Sequence, residues 1–150
     1  MAAAFISADT ENNYAFTIGV MVEYYLTVWR KYAVFSGRAS RSEYWFFALF
    51  NFVISVVLEI PYFFAHALGN DALATVVAAP LFLYSLAILI PSFAVNIRRL
   101  HDINKSGWWI LIALIPFVGA IVLLVFDCMP GTEGSNEFGP DPKVIAATVA

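Results

Sequence analysis

The chain has 150 residues, of which 61% are hydrophobic, 17% aromatic and only 13% charged. Soluble domains carry about 25% charged residues, so a chain this apolar cannot cover its surface with polar groups, and lipid must serve as its solvent over much of its area. The net charge of −3 conceals a segregation of sign. Arg30, Lys31, Arg38 and Arg41 precede one apolar run, Arg98, Arg99 and Lys105 lie between the next two, and Lys143 is the one basic residue elsewhere. Short Lys/Arg-rich loops stay in the cytoplasm because positive charge resists translocation. The basic clusters are short, sit at membrane boundaries and carry no recognition motif, which argues against nucleic acid as a partner. A single cysteine, Cys128, excludes an intramolecular disulfide. With only two histidines, His66 and His101, the usual structural zinc site is also excluded, and no metal or cofactor is expected. Residues 1–10 contain no Lys or Arg, so the basic start of a cleavable signal is missing and the N-terminus is expected to be retained.

Taken in chain order, residues 1–12 are small and polar and are expected to fray. Residues 14–32 read as an amphipathic helix: Tyr14, Ile18, Met21, Tyr25, Trp29 and Tyr32 share one face at three- and four-residue steps. This helix is expected to lie in the membrane interface. A fourth transmembrane span is the rival reading, weakened by Glu23. Gly37 suits a turn, and Ser40-Arg41-Ser42-Glu43 forms a capping box in which Ser40 caps the next helix and Glu43 reaches back to it. Transmembrane helices are predicted over residues 44–64, 73–97 and 108–126, with Pro80 and Pro91 bending the second. The loop at 65–72 has no Lys or Arg, as expected outside. Trp29, Trp45, Trp108 and Trp109 all fall at the cytoplasmic interface, where an indole prefers to sit. Pro116-Phe117-Val118-Gly119 bisects the third apolar run, so two short half-helices in a re-entrant hairpin are the alternative there. A full span is favoured on apolar length, which would put the polar tail, 129–150, outside. The predicted fold is thus an all-α integral membrane protein, a single domain with three spans and an N-terminal interfacial helix.

Three segments in order resemble one family. They are Tyr32-Ala33-Val34-Phe35-Ser36-Gly37-Arg38-Ala39-Ser40-Arg41-Ser42-Glu43-Tyr44-Trp45; Arg98-Arg99-Leu100-His101-Asp102 followed by Ser106-Gly107-Trp108-Trp109; and residues 136–142 after a glycine-rich stretch. The chain is similar over residues 25–143 to the small bacterial inner-membrane proteins grouped as domain of unknown function 805. The resemblance implies a multi-span protein of the bacterial inner membrane and no established activity. Glu137 departs from the pattern, which usually has a basic residue there, and the stretch before Tyr24 is longer than in compact members.

Candidate chemistry concentrates in the loop after the second span. Arg98 and Asp102 are four apart and can pair on one helical face, Arg99 and His101 add a donor and a titratable group, and Ser106 can cap the third span beside Trp108. With Arg38 and Arg41 at the same membrane face, four arginines and two helix N-termini can converge on one phosphate-sized anion, for which a lipid headgroup is the nearest candidate. Topogenic charge with an Arg–Asp brace is the simpler account. Adjacent His101 and Asp102 diverge on a helix and lack a nucleophile, so no catalytic site is expected. Asn51, Ser55 and Glu59 form a polar stripe on the first span, and Ser85, Ser92 and Asn96 form one on the second. The two are expected to face each other away from lipid, with Glu59 reaching the outer interface. The leading functional expectation is a non-enzymatic inner-membrane module, N-terminus cytoplasmic, that binds anionic lipid or a membrane protein partner, a second copy included, through its arginine-rich face. The alternative is an oligomeric ion or small-solute transporter or channel using the polar stripe of the first span, with Asn51 and Glu59 on the path.

Overall fold

The computed structural model describes residues 2–143, and the side chains of 2–15, Tyr14 among them, lie outside that description, as do residues 144–150 of the tail. The described residues form four α-helices and one 3₁₀ segment, with no strand: α1 (Ala2–Arg30), α2 (Arg41–Ala67), α3 (Asp71–Asp102), the 3₁₀ segment Gly107–Leu114, and α4 (Val118–Cys128). Helix α1 begins well before the expected boundary, at Ala2, where a run of alanines with high helix propensity replaces the expected frayed end. Its predicted face is partly realised. Tyr25 and Trp29 pack against a small buried core of Val28, Ala39, Phe47 and Val95, while Ile18 is exposed. Aromatic rings carry the α1–α2 contact: Tyr24 lies 5.8 Å from Phe46, and Tyr25 lies 5.7 Å from Phe47 and 5.1 Å from Phe50.

Helices α2 and α3, of 27 and 32 residues, are long and apolar enough to cross a membrane. Only 6% of the apolar window of each is buried inside the protein. The core helix of a soluble protein would be mostly covered, so the large exposed apolar faces of α2 and α3 are consistent with a membrane protein. The turn between them is tight. Gly69 adopts φ +67°, which only glycine reaches without steric cost, and the side chain of Asn70 caps α3 by accepting from the Leu73 N–H at 3.0 Å. Pro91 has no N–H, so the carbonyl of Ala87 lacks its helical donor; the Tyr32 hydroxyl supplies one at 2.9 Å, fastening the chain after α1 to α3.

Asn51 does sit inside, between the two long helices. Its amide donates to the Phe47 carbonyl at 2.7 Å and its oxygen accepts from the Tyr84 hydroxyl at 2.5 Å. The facing polar stripes expected from sequence are otherwise not formed. Ser85 and Ser92 donate back to their own helix, at Leu81 and Ile88, Ser55 is half-buried and Glu59 is exposed.

The expectation of one continuous helix over 108–126 is corrected. The run is an eight-residue 3₁₀ segment and an eleven-residue α-helix joined at Ile115-Pro116-Phe117. Pro116 cannot continue a helical ladder, and Phe117 takes φ +63° while the Val118 N–H donates to the Pro116 carbonyl at 2.7 Å, a tight and strained three-residue turn. The two arms touch at Gly119, where a Cβ would come within 1.9 Å of the Ile112 carbonyl oxygen. They touch again near their open ends, where Trp109 meets Phe126 edge-on at 5.7 Å. The run is a hairpin, and it brings the chain back to where it started.

Candidate functional site

At the end of α3 the backbone delivers five consecutive buried residues, Arg98 to Asp102. Charges buried in a low-dielectric interior persist when paired and hydrogen-bonded, and here each of the three buried arginines meets a carboxylate. The Asp102 carboxylate bridges two arginines: Oδ1 accepts from Arg38 Nε at 2.9 Å and Oδ2 from Arg99 Nη1 at 2.7 Å. Arg98 donates to Glu43 Oε1 at 2.5 Å. The i,i+4 pairing of Arg98 with Asp102 expected from sequence is therefore replaced by an i,i+3 pairing of Arg99 with Asp102, while Arg98 turns to α2. Glu43 departs from the capping box in the same way. Ser40 does cap α2, accepting from the Glu43 N–H at 3.2 Å, but the Glu43 carboxylate goes to Arg98 instead of back to Ser40.

The rest of the Arg38 and Arg99 guanidinium groups is used on backbone carbonyls, whereas Arg98 Nε and Nη2 are buried with no hydrogen-bond partner among the described residues. Arg38 donates to Gly134 and Thr132 at 2.5 Å each and to Gly139 at 3.4 Å, so one side chain from the loop before α2 gathers the carbonyls of the C-terminal tail. Arg99 donates to the carbonyls of Asp127 at 3.3 Å, Phe126 at 3.5 Å and Met129. The last carbonyls of an α-helix lack intrahelical donors and carry the negative end of its dipole, so Arg99 is a charged C-cap for α4. The tail returns the contact. The Thr132 N–H and hydroxyl both donate to the Asp102 carbonyl, at 2.8 and 3.0 Å, and Asn136 Nδ2 donates to the His101 carbonyl and to Thr132 Oγ1 at 2.9 Å each. Phe138 stacks flat on His101 with ring centroids 4.0 Å apart. His101 Nδ1 lies 3.1 Å from the Gly37 carbonyl; because a carbonyl only accepts, that nitrogen carries the ring proton.

Asp127 is a further buried carboxylate of this region, with Oδ1 unpartnered among the described residues. Burial pushes its carboxyl up to about 6, against the lowering effects of the Tyr44 hydroxyl and Arg99. Since this value lies above the unfolded one near 3.9, the folded protein holds the Asp127 proton more tightly than the unfolded chain. The resulting stability is fully present below about pH 4 and is lost as the pH rises through about 6. Asparagine stays neutral at every pH, so the Asp127→Asn variant is expected to lose this pH dependence and to be no less stable than the parent at about pH 8. Thermal unfolding in detergent across that range checks it; an unchanged profile would show that Asp127 is not the group responsible.

Of the residues singled out from sequence, Arg38, Arg98, Arg99, His101 and Asp102 are brought together, yet around carboxylates and carbonyls instead of around an open anion site. Arg41 is turned outward and exposed. With Ser42, Trp45, Phe46 and Cys128 it lines an open groove of about 420 Å³. Ser106 caps the 3₁₀ segment, accepting from the Trp108 N–H at 3.4 Å, and Trp108 is exposed. Asn96 is half-buried, with its Oδ1 unpartnered among the described residues. Asp127, Thr132, Asn136 as a connector, and the ion-pair role of Glu43 were not evident from sequence; the buried Glu43 carries the same signal as any helix-start carboxylate. No group of three or more residues suited to hold a metal occurs among the described residues.

Residues 32–140 match the family described as "Protein of unknown function (DUF805)", and this stretch contains the loop before α2, the end of α3 and the tail that meet in the cluster. The chain belongs to the DUF805 family. Among its relatives is the "Inner membrane protein YhaH" of Escherichia coli (strain K12), 41% identical over 126 residues that cover 82% of this chain and 98% of that protein. A second is the "Inner membrane protein YhaI" of the same strain, 42% identical over 131 residues that cover 81% of this chain and 97% of that protein. No solved structure matches. The three segments that carry the DUF805 resemblance are the three that interlock, which gives the family pattern a structural meaning: Gly37-Arg38, Arg98-Arg99-Leu100-His101-Asp102 and Asn136 to Gly139 are halves of the same contacts.

Proposed function

We propose that this DUF805 protein is a multi-pass module of the bacterial inner membrane, with the arginine cluster at the cytoplasmic face and an anionic lipid headgroup bound beside it at Arg41. In this reading the buried arginines do not touch the lipid. They lock the loop before α2, the end of α3, the hairpin and the tail into one rigid face, and Arg41, exposed and with no ion pair among the described residues, is the arginine that acts on a ligand. The observation that carries the reading is the groove of about 420 Å³ lined by Arg41, Ser42, Trp45, Phe46 and Cys128, which joins one exposed guanidinium to aromatic walls and holds no carboxylate. A headgroup phosphate matches the guanidinium, which offers a planar fork of donors, and acyl chains match the exposed Trp45 and the apolar face of α2.

An interfacial Arg contributes about 1 kcal/mol to the attraction of anionic lipid, so Arg41→Gln is expected to lower phosphatidylglycerol retention about fivefold. The comparison is native mass spectrometry of parent and variant from mixed phosphatidylglycerol/phosphatidylcholine micelles. Equal retention by both would overturn the assignment. Less supports a transport path through the first span, because Asn51 already has both ends of its amide engaged.

A further inference from the structure

We propose that residues 107–128 form a re-entrant hairpin seated in the lipid leaflet on the arginine side, so that the C-terminal tail lies on the same side of the membrane as the loop before α2. Three observations carry this. The first is length. Eight 3₁₀ residues at about 2.0 Å rise and eleven α-helical residues at about 1.5 Å both give arms of about 16 Å, half of a hydrocarbon core about 30 Å thick. Neither arm crosses; the pair reaches the midplane and returns.

The second is the position of the open ends. At the start of the hairpin, Lys105 Nζ sits 5.5 Å from the Trp109 ring and 5.3 Å from the Phe126 ring at the far end. A Cβ on Gly107 would lie 3.3 Å from His101 Nε2, and Arg99 holds the carbonyls of Phe126, Asp127 and Met129. Entry and exit therefore share one polar cluster, with the Trp108-Trp109 pair at the depth an interfacial belt occupies.

The third is the surface between the ends. No Asp, Glu, Lys or Arg occurs from Ser106 to Phe126, and the tip is the most exposed apolar part of the hairpin, with Leu114 at 79% and Phe117 at 85%. Backbone inside lipid must be satisfied within the protein. Much of the tip meets this condition: the N–H groups of Ile115, Val118, Gly119 and Ile121 donate to Ile112, Pro116, Ile115 and Phe117, and Pro116 has no N–H to satisfy. The occupant that suits an uncharged, outward-facing tip beside the exposed apolar faces of α2 and α3 is acyl chain.

Cys128, the single cysteine and an exposed one, makes a direct test available. A membrane-impermeant maleimide is applied to right-side-out and inverted vesicles. The parent chain is compared with Cys128→Ser chains carrying Ser42→Cys, Glu137→Cys or Phe117→Cys, and detergent-solubilised samples give the full labelling. Ser42→Cys marks the arginine side. The expected result is that Cys128 and Glu137→Cys label from the same side as Ser42→Cys, and that Phe117→Cys labels at least tenfold more slowly from either side. Labelling of Cys128 or Glu137→Cys from the opposite side would overturn the proposal in favour of a full span. Labelling of Phe117→Cys as fast as Cys128 would overturn it by placing the tip in water. Neither result depends on whether Arg41 binds a headgroup.

Discussion

Replacing Asp102 by alanine is expected to remove most folded protein from the membrane. Both oxygens of this carboxylate are committed, to Arg38 at 2.9 Å and Arg99 at 2.7 Å, and the two arginine side chains are 1% and 0% exposed. Without Asp102, Arg38 remains buried with no ion-pair partner among the described residues, and Arg99 keeps only the electrostatic attraction of Asp127. Removing one partner of a buried pair costs about 3–5 kcal/mol, a large share of a total stability of about 5–15 kcal/mol. The effect extends beyond α3, because Arg38 holds the tail and Arg99 holds the end of α4. Asp102→Asn keeps the shape and loses the charge, and is expected to fall nearly as far. Glu133→Ala, on an exposed carboxylate in the same tail, is expected to change stability by less than about 0.5 kcal/mol. Thermal unfolding and monodispersity of the three variants in mild detergent provide the comparison. An Asp102→Ala protein as stable as Glu133→Ala would refute the keystone role.

Gly119→Ala is expected to be the most damaging single methyl group in the hairpin. Its Cβ would meet the Ile112 carbonyl oxygen at 1.9 Å, the carbonyl carbon at 2.6 Å and Ala113 Cα at 2.9 Å. All three are backbone atoms, so no rotamer change relieves the clash and the arms must part. Overpacking alone costs about 1–3 kcal/mol, and parted arms expose backbone polar groups to hydrocarbon, each costing several kcal/mol more. Gly107→Ala is the matched control: its nearest contact, Ile97 Cγ2 at 2.7 Å, is the end of a side chain that can move. The expected outcome is a lower melting temperature and a shifted Trp fluorescence for Gly119→Ala, with a smaller change for Gly107→Ala. Equal effects would show that the arms do not pack through Gly119.

Much of the architecture was legible because membrane chains announce themselves locally. The apolar runs of α2 and α3, the Gly37 turn and the Ser40 cap are each properties of a few neighbouring residues. Two readings failed for one shared reason. Apolar length favoured a full span at 108–126, and hydropathy is blind to the difference between one helix and two half-length arms. Pro116 and Gly119 marked the break, but only the contact of Gly119 with the Ile112 backbone makes it a hairpin. Likewise, spacing favoured Arg98 with Asp102, since both can share a helical face. Partners 55 and 64 residues away competed and won, because burial makes every unpaired charge costly.

The sequence by itself determined that this chain lives in lipid, where its two long helices run, which face carries its positive charge and which family it resembles, because hydropathy, charge placement and short motifs are read residue by residue. Only the tertiary structure decided what the polar segments do. Three of the four arginines that sequence offered to an outside anion, Arg38, Arg98 and Arg99, turn inward. Their carboxylate and carbonyl partners arrive from three separate stretches of chain, and a guanidinium removed from water takes whichever acceptors the fold brings within reach.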